Sequence, residues 1–303
     1  MIVRATLTLE PHEDLLVEPG AGRLTHALAL DLVRRGDPGV SAWLHPPGGR
    51  RGPRPAPPGG QSPARHASLL ATSGVVTGRS DDVPDFARAV PVSAGGQVQV
   101  RLTALGAPVC AALLAGLQQT EELELAHVRC DVLAVHVDQV SLARLWRAAL
   151  RDEGSPVVRF LTPTVFERRG VYVALPLPER VFGCAADVGG LVRRWLDCAA
   201  AGGCEGEEHA AELARWEPVH VGAAPLDLRE AQVDMGSWGT LGGFVGGCRF
   251  VCGPDRPQHR RALWALCRFA EYAGVGLKTG MGLGQVRLAP AAQARGQGTA
   301  GAG

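Results

Sequence analysis

Residues 274–284, Gly274-Val275-Gly276-Leu277-Lys278-Thr279-Gly280-Met281-Gly282-Leu283-Gly284, place five glycines in eleven positions around one lysine. That density permits positive φ angles and lets backbone come close to a ligand. Successive free N–H groups in such a loop would form an anion cradle, with Lys278 adding charge at its centre. The segment follows a helical pattern at 257–273 and leads into a strand pattern at 284–289. This order rules out two familiar phosphate loops. A P-loop needs Gly-Lys-Thr at the start of a helix that follows a strand, whereas here Leu277 separates Gly276 from Lys278 and the order is helix, loop, strand. A dinucleotide fingerprint fails for the same topological reason. Two readings are left: a tight helix-to-strand connector, or a loop whose Gly274, Gly276, Lys278, Thr279, Gly280, Gly282 and Gly284 hold a polyanion.

The rest of the chain supplies a frame for that loop. Residues 2–9 alternate as a strand, and 22–35 read as a helix with Leu24, Leu28 and Leu32 on one face. Gly36 stops this helix, and Asp37-Pro38 starts a short second one that runs to about His45. Strands are predicted near 66–76 and 97–103, then a helix at 107–119 and strands within 122–137. That is a βαββαβ unit, the ferredoxin-like pattern also found in RNA-recognition motifs. A helix at 140–150 leads to Gly154-Ser155-Pro156, a hinge. Beyond it come a strand at 157–166, a turn at 168–170, a strand at 171–175, a helix at 187–199 and a small, acidic loop at 200–210. Strands near 217–223 and 228–252 and the 257–273 helix complete a second βαββαβ reading with an inserted hairpin. The expectation is α+β, two tandem ferredoxin-like domains at 1–137 and 138–290, with a disordered Ala/Gly/Gln-rich tail at 291–303.

Charge is nearly balanced, 31 basic against 30 acidic residues, so global charge neither requires nor excludes a nucleic-acid partner. Its distribution says more. Arg50, Arg51, Arg54 and Arg65 lie in a Pro/Gly-rich stretch, 46–65, that contains no acid; it reads either as a solvated loop or as one that meets phosphates. Aromatic residues make up 5%, which argues against base stacking as the main source of affinity. The eight cysteines contain no CxxC pair and no histidine at zinc spacing, so buried thiols in a reducing compartment are expected, with no metal and no cofactor. The opening residues show no charged n-region or apolar h-region, and no apolar run approaches the ~18–20 residues of a membrane span. A soluble, cytoplasmic chain with no membrane partner is the expectation.

Several stretches resemble one family in order and spacing. Arg268-Phe269-Ala270-Glu271-Tyr272-Ala273, the glycine-rich loop and Gln285-Val286-Arg287-Leu288 resemble the C-terminal signature of the CRISPR repeat-processing endoribonucleases of the RAMP superfamily. Phe160 to Phe166 resembles the strand that opens the family's second domain, and Arg194-Trp195 falls where a helix follows it. Gly242-Gly243-Phe244-Val245-Gly246-Gly247 resembles the strand before the last helix. In the first half, Asp37 to His45 and Val100 to Leu105 resemble the family's active-site segment and mid-domain strand. The resemblance implies tandem ferredoxin-like domains, a repeat RNA or its guide product as partner, and metal-independent cleavage of CRISPR precursor RNA within repeats. In that chemistry the 2′-OH attacks the adjacent phosphate, leaving a 2′,3′-cyclic phosphate and a 5′-OH. Other partners it allows are subunits of a CRISPR effector complex and a second copy of the chain. A catalytically silent RAMP subunit that only holds guide RNA stays open as the alternative, and a metal-dependent nuclease as a third reading.

Such a reaction needs a base, an acid and cations around the phosphorane. Histidine, titrating near ~6.5, suits both proton roles. His45 ranks first because it ends the short helix and opens the arginine-rich stretch; the competing reading is a capping or surface residue. His26, in the middle of the first helix, ranks second; the competing reading is a satisfied, half-buried imidazole. Arg50 and Arg51 are candidates for the scissile phosphate. His12, His66, His127, His136, His209, His220 and His259 are read as structural. Two positions depart from the family: Leu30 stands where some members have Tyr, and Leu277 where many have a basic residue.

Overall fold

The computed structural model describes residues 1–18, 22–45, 69–76, 89–183, 190–202, 207–236, 239–253 and 256–289. The basic stretch, His66 and the C-terminal tail lie outside these residues, as do Cys184 and Cys204.

β1 (Ile2–Pro11) buries Val3, Ala5, Leu7 and Leu9 on one face and turns Arg4, Thr6 and Thr8 to the other, as a period of two requires. After β2 (Leu15–Val17), α1 (Gly22–Gly36) buries Leu28, Ala29, Leu32 and Val33. α2 (Pro38–Leu44) starts where the sequence signals it. Asp37 is extended, and its carboxylate accepts from the amides of Gly39 (2.8 Å) and Val40 (3.1 Å), with Pro38 preset for the first turn. β3 (Leu70–Val76), β4 (Val90–Val92), β5 (Val98–Leu105), α3 (Ala107–Gln118), β6 (Glu122–Leu125) and β7 (Val128–Val140) complete the first half. Its main sheet is antiparallel in the order β3-β5-β1-β7-β6, with β2 and β4 paired apart. Without β6 the four long strands lie 2-3-1-4, the ferredoxin-like order.

The second half repeats it. α4 (Leu142–Ala148), capped by Ser141, leads to β8 (Val157–Thr164), β9 (Phe166–Arg168), β10 (Val171–Val173), α5 (Pro178–Val181), α6 (Leu191–Ala200) and α7 (Glu207–Ala214). β11 (Val221–Pro225), β12 (Arg229–Asp234), β13 (Thr240–Cys252), α8 (Pro257–Ala273) and β14 (Val286–Leu288) follow. The sheet order β11-β13-β8-β14 is again 2-3-1-4, with β12 on the far half of β13. The chain is therefore α+β with two tandem ferredoxin-like domains.

Local differences from expectation have local causes. The acidic stretch read as a loop gives way to α7 at Glu207, because Ala and Glu are good helix formers. The stretch read as strand at 228–252 forms a hairpin of β12 and β13; Asp234 accepts from the Gly236 amide at 2.8 Å, and Gly236 takes a φ of 64° in the turn. β7 continues to Val140, past residue 137 where the first domain was expected to end.

The domains share one core. Trp195 of α6 meets Trp146 of α4 edge-on at 6.1 Å and Phe269 of α8 at 5.2 Å. Arg268 grips Asp152 through two bonds of 2.7 Å. Arg4 reaches from the β1 face to the Glu271 carbonyl and stacks on the Tyr272 ring, whose hydroxyl donates to Asp138 at 3.1 Å. No helix among the described residues is long and apolar enough to cross a membrane.

Candidate nucleic-acid interface

The glycine-rich loop begins where Gly274 (φ 70°) ends α8, and it passes between the two domains. Much of the amide row expected to face a ligand is taken up within the protein. The amides of Gly274, Val275, Leu277, Met281, Gly282, Leu283 and Gly284 donate to backbone carbonyls, and Thr162 anchors the exit by donating to the Gly282 carbonyl and accepting from the Gln285 amide, both at 2.9 Å. Gly274, Gly276, Gly280, Gly282 and Gly284 are all buried. The physical reason is that buried backbone must be paired, and the nearest partners here are protein. From the first domain, Thr72 of β3 donates to the Gly280 carbonyl at 2.9 Å, and Gln285 donates back to the Thr72 carbonyl at 2.8 Å. Lys278 is half-exposed in the left-handed region (φ 55°), at the start of a single 3-10 turn, Thr279–Met281.

Arg194 holds the loop from beneath. It is fully buried on α6, donating to the Gly274 carbonyl and to the Thr279 hydroxyl, each at 3.0 Å. Burial, partly offset by Asp197, pushes its pKa down to about 10, so it keeps its charge at neutral pH. Thr279, read from sequence as a ligand-facing residue, is thus occupied on its inner side. The sequence singled out Arg194 only as part of a helix; its role depends on a loop 80 residues away.

On the other side the loop rests on α1. A side chain at Gly22 would have its Cβ 1.7 Å from the Met281 carbonyl oxygen, and one at Gly280 would have it 3.1 Å from Nδ1 of His26. Gly22 thus admits no side chain without moving the loop backbone, and a side chain at Gly280 would press on the His26 ring. The half-buried His26 therefore has the loop on its Nδ1 side. That nitrogen is enclosed without a regular hydrogen bond, although the Gly280 backbone is near enough to favour protonation. Burial first, and the nearby charge of His45 second, pull the His26 pKa below its ordinary value. His45 is exposed at the end of α2, its amide bonded to the Ser41 carbonyl at 2.9 Å. Of the sequence candidates, the structure brings His26, His45 and the loop together. Arg50, Arg51 and the rest of the basic stretch are outside the described residues.

Among the other histidines, His12 pairs with Asp131 (2.9 Å), His127 with Glu124 (3.1 Å), His209 stacks on Trp146 (4.8 Å) and His220 lies against His259 (5.3 Å). His136 differs. It lines a groove of about 560 Å3 between the open face of the first sheet and the last turn of α8. Arg4, Arg101, Arg287 and Gln285 line it too, and period-two alternation along β1 and β5, which puts polar side chains on one face, is the signal that could have found Arg4 and Arg101. Among the described residues, no group of three or more His, Cys, Asp or Glu is placed to hold a metal ion.

Comparison with known proteins agrees with this arrangement. Residues 158–286 match the family model of the CRISPR-associated endoribonuclease Cas6. Over 143 residues the chain is 32% identical to the CRISPR-associated endoribonuclease Cas6 of Mycobacterium tuberculosis strain CDC 1551; the same match is found for strain H37Rv. The matched stretch is 45% of this chain and 39% of the relative, so the chain spans about two fifths of the curated relatives it matches. Among solved structures, a Cas6 product complex superposes with a TM-score of 0.64 at 21% identity, covering 95% of this chain and 100% of the other. Thermus thermophilus Cas6 gives 0.57 at 20%, covering 95% and 98%. A Cas6-related protein from Pyrococcus furiosus gives 0.57 at 10%, covering 96% and 100%. These likenesses establish the fold over about 95% of the chain.

Proposed function

We propose that this chain, similar to Cas6 in the sequence of its second domain and in its fold, is a metal-independent endoribonuclease that cuts CRISPR precursor RNA within repeats. The observation that carries the reading is His26, seated against Gly280 of the glycine-rich loop and coupled to His45 where the two domains meet. With its pKa held low, His26 is neutral near pH 7 and suited to take the proton from the attacking 2′-OH. Its Nδ1 is enclosed, which leaves Nε2 for substrate. The exposed His45 is the candidate acid for the 5′-oxygen, and Arg50 and Arg51 are candidates for the phosphorane charge. Gly274, Gly276, Gly280, Gly282 and Gly284 shape the seat, Thr279 is its tied corner, and Lys278 offers charge to RNA phosphates. The groove's polar face carries arginine and threonine and no aromatic from β1 or β5, so contacts to phosphate and ribose fit it better than base stacking.

Labelled repeat RNA incubated with the protein in EDTA is expected to yield a 2′,3′-cyclic phosphate product. A 2′-deoxy nucleotide at the cut site is expected to stop cleavage while leaving binding intact. Tight binding of uncut RNA would instead identify a guide-holding subunit, and cleavage that EDTA abolishes would identify a metal-dependent nuclease.

A further inference from the structure

At the opposite end of α8 from the glycine-rich loop, two histidines meet. His259 lies in the first turn of α8, and His220 closes a 3-10 turn, Pro218–His220, that leads into β11. Their ring centroids stand 5.3 Å apart with the planes crossed at 73°. Two imidazoles that ligate one tetrahedral zinc through Zn–N bonds of about 2.0–2.1 Å have ring centroids roughly 5 Å apart. The setting holds the pair at that spacing. Buried Trp216 donates from Nε1 to the His259 carbonyl at 3.3 Å, and its ring lies 6.3 Å from the His259 ring. Phe182 packs edge-on against the same indole at 5.9 Å. Among the described residues no hydrogen bond claims either imidazole, so their nitrogens are open to a ligand. His220 is exposed and His259 half-buried, which lets an ion enter from solvent.

We propose that His220 and His259 together hold one divalent transition-metal ion, with zinc the ion that fits. Imidazole nitrogen suits zinc, whereas magnesium and calcium take oxygen ligands. Among the described residues no third His, Cys, Asp or Glu is in place to complete the shell, so water fills the other positions and the ion exchanges more readily than at a closed four-ligand site. Ligation requires the neutral imidazole. Burial first, then the charges of His220 and Arg256, lowers the pKa of His259 and keeps it neutral near pH 7. Glu212 and Glu217 act against that shift, and the same negative charge favours a dication here, with Arg256 opposing. A bound ion ties the start of α8 to the entry of β11, so its effect falls on the stability of the second domain. His259 lies fifteen residues before Gly274, roughly 22 Å along the helix. The ion therefore takes no part in the cleavage proposed above, which stays metal-independent, and the inference does not rest on that reading.

The test uses the full chain without a polyhistidine tag, stripped with EDTA, desalted and titrated with zinc chloride. Calorimetry is expected to show one ion bound per chain, and the melting temperature should rise with zinc because the ion binds the folded state. His220→Ala and His259→Ala are each expected to abolish the binding heat and the zinc-dependent rise. His127→Ala, a control at an exposed histidine of the first domain, should keep both. His220→Ala, which removes an exposed side chain, should melt like the parent in EDTA, so its loss of zinc binding is not a loss of folding. Absence of saturable zinc binding, or binding that survives His220→Ala or His259→Ala, would overturn the proposal.

Discussion

The two domains use the same helix to opposite ends. In each, the helix that follows the first long strand, α1 in one and α6 in the other, turns a basic side chain onto the glycine-rich loop. His26 meets Gly280 from the α1 side; Arg194 meets Gly274 and Thr279 from the α6 side. What differs is depth. Arg194 is wholly enclosed and spends its donors on the loop, so its work is structural. His26 is half-buried, with one nitrogen shielded and a depressed pKa, so it can exchange a proton with something outside. The same topological position thus becomes a strut in one domain and a candidate base in the other.

Removing the strut is expected to have the largest effect. Arg194→Met deletes two buried hydrogen bonds from a charged donor, each worth roughly 1.5–3 kcal/mol, and leaves the Gly274 carbonyl buried without its partner. Thermal denaturation should show a loss of about 3 kcal/mol or more, with RNA binding falling in parallel; Arg194→Lys should recover part of both. A stable Arg194→Met protein that binds RNA but does not cut it would erase the distinction, making Arg194 more than a strut.

His26→Ala is expected to do the reverse: the single-turnover rate falls by about 10²-fold or more, while the melting temperature changes little. If His45→Ala alone has that effect, the proton chemistry belongs to the exposed imidazole. pH sharpens the contrast. A histidine with a depressed folded pKa stabilises the fold above the ordinary histidine range near 6.5, and that contribution is lost as pH falls through this range toward its lower folded value. Acidification should therefore erode stability less in His26→Ala than in the parent. The acid limb of the parent's rate profile should lie below the ordinary histidine value; a limb at or above it would mean that the essential base is not His26.

Most of this architecture was legible in the sequence, because its signals are short-range. Asp37-Pro38 marks a helix start through contacts two and three residues away. The span of α8 is given by helical periodicity up to Gly274. The site was less legible because its contacts are long-range: Thr72 to Gly280, Thr162 to Gly282 and Arg194 to Gly274 join segments 208, 120 and 80 residues apart. Glycine density suggested amides turned outward, but many of them pair with backbone carbonyls, and the distant partners hold the loop by its own carbonyls. The order of the two histidines shifts for the same reason. His45 stood out by its neighbours in sequence, whereas His26 stands out by what folds onto it.

The smallest expected effect concerns Lys278, and it decides what the loop adds beyond seating the two helices. Its side chain belongs to the half-exposed part of an otherwise buried segment, and its left-handed backbone (φ 55°) is a conformation that costs a non-glycine residue something to hold. Retaining lysine there is reasonable if its charge meets a phosphate. Lys278→Ala should then weaken repeat-RNA binding several-fold and lower the slope of log affinity against log salt by about one, with the cleavage rate at saturating protein nearly unchanged. Lys278→Gly, which relieves the backbone, should lose affinity equally while melting at the same or a higher temperature. If both variants bind like the parent across the salt series, the loop's contribution reduces to its contacts with His26 and Arg194, and the phosphates must be held by the groove arginines or by the basic stretch.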